Sequence, residues 1–354
     1  MGVYTTIDNP ELYFQVKLFA GTGTGGSTTA VTLDGSEDMA PDMVWVNHRN
    51  AAGNWKGIAD TVRGVQKGLH SNTNAAEATS AEYLTAFGSD GFTVGENGSW
   101  GANSVNYVAY CWKAGTTSGI TTTGADITLA AYSFNDTSKF SIIKYEGNDT
   151  ADTQVPHGLG AVPKFGIFKK LESTGRYQTY HHALDTDEKL YLDDTHAKVT
   201  DADAWNETDP TSVNWTIDVE DDANESGEDL VAYSWAPVQG YSAFGSYIGN
   251  DQSSDNTFVY TGFRSAWIMI KNTANTYGWV IVNNKALGYN PDNNFVYANA
   301  TDAESTNDWV DLYSNGFKIR SNTARVGSTG EMYVYAAFAE APFVNSKGVP
   351  CNAR

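Results

Sequence analysis

Cysteine is nearly missing from this chain: Cys111 and Cys351 are the only two. Two thiols exclude a disulfide framework and a cysteine-built zinc site. Long apolar runs are missing too, for no stretch of about 18 apolar residues occurs. The first residues, MGVYTTIDNPELYF, have neither a basic start nor an apolar segment, so the chain is expected to stay in the cytosol until it is assembled or exported. Basic residues are few, 22 against 42 acidic, for a net charge of -20. That balance argues against nucleic acid and anionic membranes as partners, since both need a concentrated Lys/Arg surface. Surface carboxylates that repel one another are tolerated best in salt, which points to a saline habitat. The helix builders Leu, Glu and Lys are scarce, whereas 10 Trp, 20 Tyr and 34 Gly are present. Strands and tight turns follow from that bias, and the fold class is all-β. A chain of 354 residues is long enough for two or three domains of roughly 100 residues each.

Internal similarity organises the chain. Three blocks open on an aromatic-rich strand that runs into a glycine, FQVKLFAG ending at Gly21, FSIIKYEG at Gly147 and YSAFGSYIG at Gly249. Each closes on an apolar strand, Tyr107 to Trp112, Leu230 to Trp235 and Tyr333 to Phe338. Gly21 precedes Val108 by 87 residues, Gly147 precedes Val231 by 84 and Gly249 precedes Val334 by 85. Between the ends lies a second apolar strand, at Met43 to Val46, Phe165 to Phe168 and Ala266 to Ile270, leading to Arg49, Lys169 and Lys271. Trp55, Tyr177 and Trp279 follow.

Asp90-Gly91 and Asn315-Gly316 read as hairpin turns whose glycines supply a positive φ. Trp267 to Ile270 is apolar on both faces, as in a strand buried within layers, whereas Phe317-Lys318-Ile319-Arg320 alternates like a half-exposed one. Three tandem β-sandwich repeats of jelly-roll-like character are expected at 13–113, 138–239 and 240–345. They are flanked by an N-terminal docking arm at 1–12 and a C-terminal tail at 346–354. Residues 114–137, rich in Thr and Gly, read as a linker on which the first repeat hinges. Helix is expected only at Ala75 to Ala86, with a short turn near Ile58 to Gly64.

Candidate chemistry is sparse. His181, His182, Asp185, Asp187, Asp193, Asp194 and His196 form the densest set of metal-ligating types. Adjacent histidines on a strand point to opposite faces, however, and the other repeats have no counterpart. Asp218, Glu220, Asp221 and Asp222 lack the spacing of a calcium loop and read as a solvated face. Pro156 to Gly160, with His157, reads as a structural turn, because no nucleophile stands beside it. Gly21 to Gly26 lacks the Lys-Ser/Thr and the helix of a phosphate loop and reads as a flexible hairpin tip. No acidic pair stands out for glycoside cleavage. No catalytic, cofactor-binding or metal-binding residue is assigned, no cofactor is expected, and the chain reads as a non-enzyme.

The motifs TTIDNPELYFQVKLFAGTG, PDMVWVNHR, YVAYCWKAG, VPHGLGAVPKFGIFKK, GYSAFGSYIGN, LYSNGFKIRS and YVYAAFAEAPF resemble the repeated domain of structural proteins of marine phages, across roughly residues 5 to 345. The resemblance implies a virion protein, commonly tail-associated, assembled in the bacterial host cytoplasm with other virion proteins and without nucleic acid or membrane insertion. It lends no catalytic residue. Two roles follow: a tail-fibre component presenting loops to a host surface glycan or receptor, or a capsid or tail decoration protein. Coiled-coil and collagen-like shaft sequence is absent, and three tandem copies suit a pseudo-threefold platform, which keeps the second role in view. A homo-oligomer in the particle is expected. A tail glycan depolymerase is the third and weakest reading.

Overall fold

The computed structural model describes residues 4–287, 290–291 and 293–351. The chain is all-β: among the described residues the only helical segments are a 3-10 turn, Pro10–Leu12, and a single α-turn, Asp221–Asn224. Three large antiparallel sheets share one strand order, in which the closing strand lies between the opening strand and the second strand. In the first unit these are Phe14–Ala20, Asn106–Trp112 and Met43–His48. In the second they are Phe140–Glu146, Asp229–Trp235 and Phe165–Lys170. In the third they are Ser242–Ile248, Met332–Pro342 and Phe263–Asn272. Beyond the second strand each sheet continues as a meander. A small sheet covers each large one, led by Thr29–Thr32, Thr153–Pro156 and Phe258–Tyr260.

The jelly-roll likeness is therefore partial. The first strand pairs with the last and Thr29–Thr32 pairs with Gly91–Val94, which is the ribbon of a jelly roll. The middle strands correct it, because Met43–His48 pairs directly with Gly57–Asp60 and stays within its sheet.

Each closing strand is buried on both faces, for a reason the alternation of side chains makes clear. Tyr107, Ala109 and Cys111 face a core private to the first unit, whereas Val108, Tyr110 and Trp112 face a core shared by all three. Ile268 and Ile270 likewise face the third unit's own core, and Trp267 and Met269 the shared one. Strand pairing aligns Trp112, Trp235 and Phe338, which stand opposite Met43, Phe165 and Trp267. Those three equivalent rings touch one another, with centroids 6.0 Å, 5.5 Å and 6.4 Å apart. They mark a pseudo-threefold axis inside one polypeptide.

Polar contacts repeat around that axis. Asp60, His181 and Asn283 occupy equivalent positions. Tyr233 donates to Asp60 at 2.7 Å, His181 Nε2 meets the Tyr335 carbonyl at 3.1 Å, and Asn283 donates to Tyr110 at 3.4 Å. Each bond crosses to the next unit, and the three close a ring.

This packing corrects the hinge. Residues 114–137 are tied to the first unit by Asp42, which accepts from Ala114 N at 2.9 Å, and to the second by Ala131–Asn135, an edge strand on Phe140–Glu146. Ile127 enters the second unit's core. Limited proteolysis is accordingly expected to spare 127–137, where the chain is packed and paired; first cuts there would contradict the packing. The arm at 1–12 is, from residue 4 on, a strap over the third unit. Tyr4 donates to the Gly262 carbonyl, Ile7 is buried, and Asp8 accepts from Ser346 of the C-terminal tail. Residues 1–3 and 352–354 lie outside the described residues.

The block-opening glycines have a physical cause. A Cβ on Gly21, Gly147 or Gly249 would lie 2.2 Å, 2.3 Å or 2.2 Å from the carbonyl oxygen of Ala102, Glu225 or Ser328. Backbone therefore passes against backbone where the opening strand leaves the sheet. Gly249→Ala is expected to lower stability by about 1–3 kcal/mol, read as a lower urea midpoint; an unchanged midpoint would contradict this cause.

Three further expectations are corrected. Ala75 to Ala86 is not helical: Ala78–Thr79 pairs with Lys67 and Gly68, and Leu84 enters the core, so burial overrides propensity. Ile58 to Gly64 is a strand, Gly57–Asp60, followed by the turn. In the hairpins the loop residues are Ser89-Asp90 and Ser314-Asn315, and the glycines begin the next strand. Gly91 does have φ 125°, but the closer constraint is shared by both glycines, since a Cβ on Gly91 or Gly316 would strike the carbonyl of Val31 or Val259.

Candidate functional site

The residues singled out for chemistry serve the architecture. His181 and His182 stack on each other with centroids 5.3 Å apart, rather than pointing to opposite faces. Both are spent on the third unit's backbone, His181 at Tyr335 and His182 at Phe244. Asp193 accepts from Tyr177 N, and Asp194 pairs with Arg176 and His196. Among the described residues no group of three or more such side chains is placed to hold a metal ion. The acidic run is not merely a solvated face: Glu220 pairs with buried Lys189 at 3.0 Å, and Asp222 accepts from Arg176 N at 2.8 Å. His157 is buried, with Nε2 at the Thr211 carbonyl and Nδ1 accepting from Leu159 N. Gly21 to Gly26 joins strands of different sheets rather than a hairpin, and Gly23 bridges to Ala102.

Lysines at the unit junctions are a second family of buried groups. Lys271 Nζ donates to the Thr195 carbonyl of the second unit at 3.1 Å and to Tyr277 at 2.7 Å. Lys56 Nζ donates to the Asp302 carbonyl of the third unit at 3.0 Å. Burial pushes both ammonium groups down to about 7, with a carboxylate at Asp194 or Asp302 opposing. Strand register makes Asn47, not Arg49, the counterpart of Lys169 and Lys271, and Lys56, not Trp55, the counterpart of Tyr177 and Trp279. Arg49 instead forms a two-pronged pair with Glu304 of the third unit, at 2.6 Å and 2.9 Å.

Three equivalent rim positions emerge from that register. Asn72, Asp193 and Asn299 each follow a meander strand by two residues, and each accepts from the backbone N–H of Lys56, Tyr177 or Trp279, at 2.9 Å, 2.8 Å and 2.9 Å. In the first unit Trp55 covers this rim by packing at a tilt against His70, centroids 4.7 Å apart. In the second Arg176 fills it, stacked 4.6 Å from the centre of Tyr191 and paired with Asp194. In the third it stays open, as a cavity of about 350 Å³ lined by Tyr277, Tyr297, Asn299, Asp302 and Arg325, with Thr195 reaching in from the second unit. No sequence signal marked this set, because its members become neighbours only when the units close on one another.

The third unit also differs on its outer surface. Phe258 and Tyr260 are exposed on the outer strand of its small sheet, where the strands at equivalent register carry Ala30 and Thr32 or Gln154 and Pro156.

Similarity to known proteins is narrow. One family, described as a domain of unknown function (DUF7483), matches residues 9–342. No curated protein and no solved structure matches the chain.

Proposed function

We propose, for a chain that belongs to the DUF7483 family across residues 9–342, a non-enzymatic structural role in a phage virion, as a tail-associated component that presents its rim loops to the host surface. The observation that carries the reading is the closed body itself. Three like units share one aromatic core, and the ring of hydrogen bonds at Asp60, His181 and Asn283 holds the units together. Loops on such a body vary without disturbing the core. The motif resemblance to marine phage structural proteins supplies the context, and the exposed Phe258 and Tyr260 supply a surface for a neighbouring virion protein.

Decoration of a capsid or tail is the second reading. The pseudo-threefold axis favours it, because a one-chain mimic of a trimer suits a symmetric position on a particle. Electron microscopy of intact particles with a labelled antibody separates the two: label at the tail supports host recognition, label over the head supports decoration. Particles that carry no label would refute both.

A further inference from the structure

The open rim of the third unit is built like a receptor for a small polar ligand with an apolar face. Asn299 is 9% exposed; its Oδ1 is held by Trp279 N, and its Nδ2 has no partner among the described residues. Asn299 lines the cavity with its unpaired donor buried in the wall, so an entering acceptor must displace the packing around it to reach Nδ2. A buried amide donor without a partner is costly, and an acceptor that reaches it relieves that cost. Asp302 also lines the cavity, with a carboxylate that makes no hydrogen bond or ion pair among the described residues, while its charge acts on buried Lys56, which donates to its backbone carbonyl. Arg325 is held over the rings of Tyr277 and Trp309, 5.3 Å and 6.0 Å from their centres. Tyr277 and Tyr297 supply aromatic wall, and Thr195 and Thr276 supply hydroxyls.

Two other hollows among the described residues lack this combination. The groove of about 490 Å³ between the N-terminal strap and Pro237 has Asp136 and Lys139 already paired with each other. The hollow at Gly119, Phe134 and Gly158 is lined mainly by glycine and small residues, with Asp136 as its charged group.

We infer that the cavity between Tyr277, Asn299, Asp302 and Arg325 binds a neutral pyranose sugar of a surface glycan. A pyranose ring has vicinal hydroxyls that donate to a carboxylate and accept from an amide, and a C–H face that rests on aromatic rings. A volume of about 350 Å³ admits one or two such rings. Neutral sugars are favoured over acidic ones because the chain carries a net charge of -20 and Asp302 stands in the cavity. Phosphate ligands are disfavoured for the same reason. In its biological sense the inference rests on the host-recognition reading; the binding itself does not require it.

The internal equivalence supplies a mild probe. Asn299→Asp places there the residue that the second unit has at position 193, so the acceptor for Trp279 N is kept and only the free donor becomes an acceptor. Saturation-transfer NMR and titration calorimetry on the whole chain, with methyl glucoside, galactoside, mannoside and N-acetylglucosaminide as probes, read the outcome. At least one probe should bind, and Asn299→Asp and Asp302→Ala should each weaken it tenfold or more, whereas Asp34→Ala, far from the cavity, should leave it unchanged. Binding to none of the four probes, or binding that survives both cavity variants, overturns the assignment. Because particle labelling is read separately, a tail-located chain that binds no sugar refutes this inference alone. A sugar-binding chain absent from particles refutes the virion role alone.

Discussion

Trp112→Ala should lower the stability of the whole chain by about 3–5 kcal/mol and do so in all three units at once. The indole is 1% exposed and contacts rings from every unit: Phe14 at 4.9 Å, Trp267 at 5.7 Å, Phe338 at 5.5 Å, Trp235 at 6.0 Å and Phe140 at 6.4 Å. Removing it leaves a cavity on the axis that no single unit can collapse around, because each ring is held by its own sheet. Trp112→Phe is expected to be far milder. Phenylalanine stands at the equivalent position, Phe338, and the Trp112 Nε1 proton lost by the change has no partner among the described residues. Urea unfolding followed by fluorescence and by near-ultraviolet circular dichroism tests both variants. One cooperative transition, shifted as a whole, is the expected result. A transition that splits, with two units unfolding at the original midpoint, would show that the shared core does not couple them.

Acid should open the structure through its buried histidines. Burial pushes His157 down to about 4 and His181 down to about 3, below the usual value near 6.5. In both rings Nδ1 accepts a backbone N–H, from Leu159 and from Ala183, while Nε2 faces a carbonyl. A second proton on Nδ1 would break that bond inside the core. The folded pKa therefore lies below the unfolded one, and the unfolded chain binds the extra proton between about pH 6.5 and the folded value. Stability is complete above about pH 6.5 and falls by about 1.4 kcal/mol per pH unit for each such ring as the pH drops toward 4. Asp42, Asp193 and Asp222, raised by burial, act in the opposite direction, so the histidine contribution is isolated by substitution. His181→Asn keeps an acceptor near the Nδ1 position. The gap between the native chain and this variant should narrow from pH 7 to pH 4.5, measured as urea midpoints; a constant gap would remove His181 as a source of acid lability.

Much of this architecture was legible in the residues. The opening glycines, the three closing strands and the second strands lie within a few residues of where composition and internal similarity put them. The reason is local: alternation, β-branched and aromatic content, and glycine where backbone meets backbone all act within a few residues. YVAYCW, LVAYSW and YVYAAF are apolar at consecutive positions, as Trp267 to Ile270 is, and a strand apolar on both faces needs a second core behind its sheet.

What that second core consists of was decided only by the tertiary structure. Equivalent aromatics at 112, 235 and 338 are over a hundred residues apart, and no local pattern states that they meet. The same holds for the rim. Asn72, Asp193 and Asn299 look unrelated in the chain, yet strand register makes them one position, and neighbouring side chains decide whether that position is covered by Trp55, filled by Arg176 or left open. Each residue's own preferences set the opening, second and closing strands and their threefold recurrence, whereas the strand at Ala78–Thr79 and the details of the hairpin turns followed from packing. Closure into one body, and with it the open cavity, depended on contacts between side chains that only the folded chain brings together.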